Sequence, residues 1–177
     1  MAERSKGKLE LLAQIVGILA VIIFTLSYLQ KKRKNIIIFN ANSRVLYIVQ
    51  YIMLGAFSGA VLDVMGTVSS VVAGKKETPF IKKHIKLIFT AVNLLIIASG
   101  LYIYEKPLDI CPIIGVLLHT SAFWISDEKI IRRVSFLGSP FWLTYNLLSR
   151  AYGSAVGDVL SMVSIGISMI RYDIKKK

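Results

Sequence analysis

The sequence predicts an all-α integral membrane protein with seven transmembrane helices, built as two parallel three-helix repeats joined by a linker helix. Three observations carry that expectation. Apolar residues come in runs long enough to cross a bilayer, basic residues cluster between the runs, and the chain matches itself at an offset of 95 positions.

Composition sets the class. Hydrophobic residues make up 55% of the 177, charged residues only 18%, and the mean hydropathy is +0.63. A soluble domain of this length would not carry so much apolar sequence in unbroken stretches. A hydrocarbon core about 30 Å thick needs roughly 20 apolar residues per helix.

Seven spans meet or approach that length: Leu11–Leu29, Ile36–Leu54, Ala56–Gly74, Ile85–Tyr104, Leu108–Ile125, Val134–Ser149 and Tyr152–Ile170. The first span follows Arg4, Lys6 and Lys8 and so resembles a signal peptide. No small-residue cleavage site follows it, and it ends at Lys31-Lys32-Arg33-Lys34, so it is expected to be a retained helix. Spans two and three are separated only by a Gly-rich turn at 55–59, and spans six and seven by Ser149 to Gly153, which suits tight helical hairpins.

The net charge is +12. A nucleic-acid ligand is not expected, because the cations mark topology instead. With the N-terminus outside, the inner segments hold 16 basic residues. They are Lys31, Lys32, Arg33, Lys34, Lys75, Lys76, Lys82, Lys83, Lys86, Lys129, Arg132, Arg133, Arg171, Lys175, Lys176 and Lys177. The outer segments hold five: Arg4, Lys6, Lys8, Lys106 and Arg150. The expected arrangement is a multi-pass inner-membrane protein, N-terminus outside and C-terminus cytoplasmic. The charge alternates correctly only with an odd number of spans.

The offset of 95 lays Ala56 through Val64 over Ala151 through Val159, and pairs Asp63 with Asp158, Thr25 with Thr120, and Tyr47 with Trp142. It gives repeats at 11–74 and 106–170, within one membrane domain spanning 1–177. Both copies have the same orientation, while three helices invert the side of the chain. The linker helix at 85–104 restores it, which makes a 3+1+3 parallel repeat.

Gly17-Ile18-Leu19-Ala20, Pro112-Ile113-Ile114-Gly115 with Thr120 and Ser121, and the closing stretch from Trp142-Leu143-Thr144-Tyr145-Asn146 through Tyr152-Gly153 to Ile170-Arg171-Tyr172 resemble the YgjV-type bacterial inner-membrane proteins. The 3+1+3 plan resembles the SWEET, semiSWEET and PnuC transporters. That likeness implies a small-solute transporter or facilitator with solute between the repeats near the midplane. The alternative is a non-transporting receptor or interaction protein of the same fold. The sugar facilitators carry proline hinges on four helices and asparagines at the substrate. Here only Pro112 and Pro140 stand at such positions, and Asp63 and Asp158 take the asparagines' places, so the likeness does not imply sugar.

Candidate site residues follow from the cost of polarity inside a bilayer. Eight of the ten acidic residues lie in loops, in tails or, like Asp109, at the very end of a span, leaving Asp63 and Asp158 well inside spans. A carboxylate there costs at least about 2.5–3.5 kcal/mol and is rarely idle. Each sits about six residues past its hairpin, roughly 9 Å deep. They either line a shared cavity for a polar or cationic solute or a proton, or are capped locally by hydroxyls or Arg. Arg44 either pairs with Asp63 or an anionic substrate group, or snorkels to the surface.

Asn93, His119, Thr120, Tyr145 and Asn146 are weaker candidates, since polar residues often only join neighbouring helices. His119 is a proton shuttle or a packed neutral ring, and Trp142 a cavity wall or packing. Trp124, Tyr28, Phe123 and Tyr102 lie near span ends and suggest an interfacial belt. The lone Cys111 excludes an intrachain disulfide, and no metal, cofactor or nucleotide motif is present. No catalytic triad is recognisable, so an enzyme is not expected. The expected partners are membrane lipid and a small polar solute, with self-association an option.

Overall fold

The computed structural model describes residues 2–174, with side chains for 7–173. Lys175, Lys176 and Lys177, counted above among the inner cations, lie outside the described residues, as do the side chains of Arg4 and Lys6.

The regular structure among the described residues is all helix: α1 (Ala2–Tyr28), α2 (Arg33–Leu54), α3 (Phe57–Gly74), a short α4 (Pro79–Lys83), α5 (Ile85–Tyr102), α6 (Ile110–Phe123), α7 (Glu128–Leu148) and α8 (Tyr152–Ser168). A 3₁₀ turn at Pro107–Asp109 leads into α6, and a π turn at Met169–Ile174 extends α8. Five helices are long and apolar enough to cross a membrane: Gly7–Tyr28, Arg33–Leu54, Phe57–Gly74, Ile85–Tyr102 and Tyr152–Asp173. Pro107–Phe123 is apolar but shorter.

The helix ends differ from the expected spans for local reasons. α7 starts six residues before Val134, because Asp127 accepts the backbone N–H groups of Lys129 and Ile130 and caps the helix there. The spans expected to end at Tyr104 and Ile125 stop at Tyr102 and Phe123. Pro112 falls in the first turn of α6, where a missing N–H removes no bond internal to that helix. Pro140 alone lies inside a helix.

Both hairpins use one device. α2 stops at Gly55, whose φ is +70°, with Gly55 N–H bonded to Ile52 O and Ala56 N–H to Tyr51 O. The turn after α7 repeats this pattern, with Arg150 N–H on Leu147 O and Ala151 N–H on Asn146 O. There the left-handed position is Arg150, at φ 59°. A side chain in that conformation is strained by about 1 kcal/mol. Arg150→Gly should therefore raise stability by up to about 1 kcal/mol, read as a higher melting temperature in detergent.

Within each triplet, α1 packs on α2 and α2 on α3, then α6 on α7 and α7 on α8. α1 against α8 and α3 against α6 close the two triplets into a ring, while α5 leans on the outside of α3 and α6. Small residues permit these approaches. A Cβ at Gly157 would strike Val21 across the α1–α8 contact, and one at Gly100 would come within 2.6 Å of Ile113. Gly157→Val should lower stability by about 1–3 kcal/mol through overpacking, measured by thermal denaturation in detergent.

The outer surface is apolar, with Leu11, Ile22, Val45, Leu94 and Val163 exposed, whereas many polar side chains are buried. That inversion suits lipid outside and hydrogen bonding inside. One expectation fails here. Tyr28, Phe123 and Trp124 do not form a belt, because each turns inward and is buried. Tyr28 packs edge-on against Phe24, and Trp124 packs on Phe89 with its indole N–H directed to Ser69. Tyr102 is exposed at the end of α5.

Candidate functional site: a buried polar cavity between the triplets

The inward faces of α1, α2, α3, α6, α7 and α8 determine what the ring encloses. On α7 the buried positions include Ser135, Gly138, Ser139, Trp142, Tyr145 and Asn146, spaced so that they form one stripe. α2 buries Asn40, Ser43, Arg44, Tyr47, Gln50 and Tyr51 in the same manner. These stripes face each other across a cavity lined by Phe24, Arg44, Tyr47, Tyr51, Asp63, His119, Trp142, Asn146 and Asp158. Its volume is about 20 Å³, room for one water-sized guest.

Eight of these nine lining residues form pairs separated by 95 positions: Phe24 with His119, Tyr47 with Trp142, Tyr51 with Asn146, and Asp63 with Asp158. Two pairs touch directly. The Phe24 and His119 rings stack at 5.9 Å, and the Tyr51 hydroxyl donates to Asn146 Oδ1 at 2.8 Å.

The charged groups are arranged unequally. Arg44 Nη1 meets Asp63 Oδ1 at 2.5 Å, and both side chains are 5% exposed or less. Arg44 Nε donates to Asn40 Oδ1 at 3.0 Å. Gly66 opposite leaves space for the guanidinium, which a Cβ there would strike. Arg44 therefore does not snorkel. Asp158 accepts one hydrogen bond, from Asn146 Nδ2 at 2.8 Å. No cation pairs with it among the described residues.

Six of the nine candidate residues thus lie around one cavity, while Thr120 donates to Val116 O within α6. His119 is held between Phe24 and Gly138, and a Cβ at Gly138 would sit 2.8 Å from its Nε2. Asn93 lies apart on α5, where it donates to Phe89 O and accepts from Ser121 Oγ, joining α5 to α6. Phe24, Tyr47 and Tyr51 were not among the candidates. The offset was the available signal, since each is 95 positions before His119, Trp142 or Asn146.

The triplets are bridged on both sides of the cavity. On the hairpin side, Tyr145 Oη bonds Ser58 Oγ at 2.7 Å and accepts Gly59 N–H at 3.0 Å, and Ser58 donates to Asp109. Ser154 donates to Gln50, and Gly153 N–H to Gln14. The partner positions again follow the offset, because 58 and 109 correspond to 153 and 14, and 59 and 145 to 154 and 50. On the basic side, Arg33 donates to the carbonyls of Ala73, Phe123 and Ile125. Lys76 Nζ donates to Trp124 O and Ser126 Oγ. Burial, followed by the nearby Arg33 charge, lowers the Lys76 ammonium below the usual lysine range.

The family model for the bacterial inner membrane proteins named Imp-YgjV matches residues 11–176. The chain belongs to this family. The match covers every helix from the first expected span onward, as the resemblance in the closing stretch suggested. The Imp-YgjV chain is therefore a multi-pass inner-membrane protein. No curated protein and no solved structure matches it.

Proposed function

We propose that this Imp-YgjV protein is a small-solute transporter or facilitator of seven spans, in which two parallel helix triplets hold the solute between them. The observation that carries this reading is the cavity itself, whose lining consists of pairs 95 positions apart plus Arg44. A residue and its repeat mate can touch only near the axis relating the repeats, and Phe24–His119 and Tyr51–Asn146 do touch. Bridges on both sides and a water-sized interior suit the closed intermediate of an alternating-access cycle, with triplets that rock about the site.

The bridges break in sets as either side opens. Opening the hairpin side parts Tyr145 from Ser58 and Gly59, and opening the basic side frees Arg33 and Lys76 from the end of α6. The basic side is cytoplasmic on the charge asymmetry. In a Cys111→Ala background, Lys106→Cys should react with an impermeant thiol reagent on intact cells, and Lys32→Cys only after permeabilisation. The reverse pattern would invert the topology.

Ligand occupancy can be tested with a thermal-shift screen of small polar metabolites in detergent. A solute that raises the melting temperature by several degrees should lose that effect in Asn146→Ala. A solute that stabilises both proteins equally binds elsewhere and counts against the site.

A further inference from the structure

The two repeats differ at one decisive position. Arg44 has Ser139 as its equivalent 95 residues on, so two carboxylates face a single guanidinium. Asp63 uses that guanidinium. Asp158 holds only the Asn146 amide through Oδ2, and its Oδ1 has no hydrogen-bond partner among the described residues. With both carboxylates ionised, the lining carries one net negative charge. A buried carboxylate without a counter-charge is costly, so a guest that supplies one positive charge is favoured.

The rest of the lining favours an organic cation. Tyr47 and Tyr51 stack at 6.3 Å, Tyr51 and Trp142 at 6.2 Å, and Phe24 meets Tyr47 at 6.2 Å. Aromatic faces attract ammonium groups through the ring quadrupole, most strongly where water is excluded. The Tyr47 hydroxyl is buried without a partner, which leaves a polar contact free beside the rings. An anion would meet an ionised Asp158 unfavourably, and a neutral solute would leave that carboxylate to be neutralised by a proton alone.

Resting on the solute-site reading above, we propose that the cavity takes a small organic monocation, an amine or quaternary ammonium head group, with Asp158 as its counter-ion and Tyr47, Tyr51 and Trp142 as its aromatic walls. Asp63 is then a positioning residue, whose work is to neutralise and fix Arg44. A bare ammonium head matches the water-sized interior, and larger heads require the rings to part.

The test is calorimetric titration of the purified full-length protein in detergent with methylammonium, tetramethylammonium, choline and the neutral carbon isostere of choline. At least one cation should bind, and choline should bind at least about tenfold tighter than its isostere. Asp158→Asn, which keeps a polar group beside Asn146, should abolish that preference. Asp127→Asn, a cap outside the cavity, should leave it intact. Equal binding of choline and isostere to the wild type overturns the proposal without needing any variant to fold. So does undiminished cation binding in a folded Asp158→Asn protein, or no binding by any cation, as when Asp158 holds only a proton. A neutral solute that binds in an Asn146-dependent way would sink the cation class while leaving the solute site standing.

Discussion

Arg44→Leu should destabilise the protein by about 3–5 kcal/mol, because it leaves Asp63 buried without its partner. The pair lies within the spans, both side chains are 5% exposed or less, and the other hydrogen bond Arg44 makes is to Asn40. Asp63→Leu should cost a similar amount by stranding the guanidinium. The double replacement Arg44→Leu with Asp63→Leu should recover most of the loss, since two apolar groups of similar volume remove both desolvation penalties. Denaturation of the three variants in detergent micelles measures this. If the single variants lose less than about 1 kcal/mol, the pair is screened by water, and the cavity is wetter than its geometry implies.

Arg132→Leu should cost less, about 1–2 kcal/mol, although its ion pair looks equivalent. Arg132 Nη1 meets Asp173 Oδ1 at 2.7 Å, and both side chains are 5% exposed or less. Tyr172 adds aromatic contact, with Arg132 5.3 Å and Arg171 5.4 Å from its ring centroid. The difference is position in the chain. Asp173 lies in the π turn that ends the described helix, so that turn can peel off α7 and carry the carboxylate into water. The expected signature is a small loss of melting temperature together with much faster proteolysis after Arg171. A loss as large as that of Arg44→Leu, with the tail still protected, would show that the turn cannot peel away.

The two ion pairs also show what the sequence could and could not say. An arginine and an aspartate inside spans declare themselves, because the bilayer penalises them wherever they sit. Arg132 and Asp173 stand among the loop and tail charges, where topology accounts for them, so nothing in the pattern marks them as partners. Asn93 stands apart for a related reason. Polarity within a span indicates burial against protein but not which neighbour receives it. α5 leans on the ring from outside, so its asparagine joins helices. Phe24, Tyr47 and Tyr51 carry no polarity signal strong enough to stand out in an apolar helix. The residues 95 positions on do, so the offset that pairs Asp63 with Asp158 could have supplied them too. The aromatic ends misled in the opposite direction. Tyr28 and Trp124 sit at the depth of a belt but on the inward face, and depth alone does not choose a face.

Whether the cavity opens to both sides of the membrane is measured most directly by the reactivity of Asn146→Cys in a Cys111→Ala background. Asn146 lies between Tyr51 and Asp158 at the cavity wall and is 2% exposed. In right-side-out and inverted membrane vesicles, a small impermeant thiol reagent should modify it slowly from either face if the triplets rock about the site. Reactivity from one face alone would fit a receptor pocket, and none from either face would make the cavity a packed interior; both results contradict transport through it.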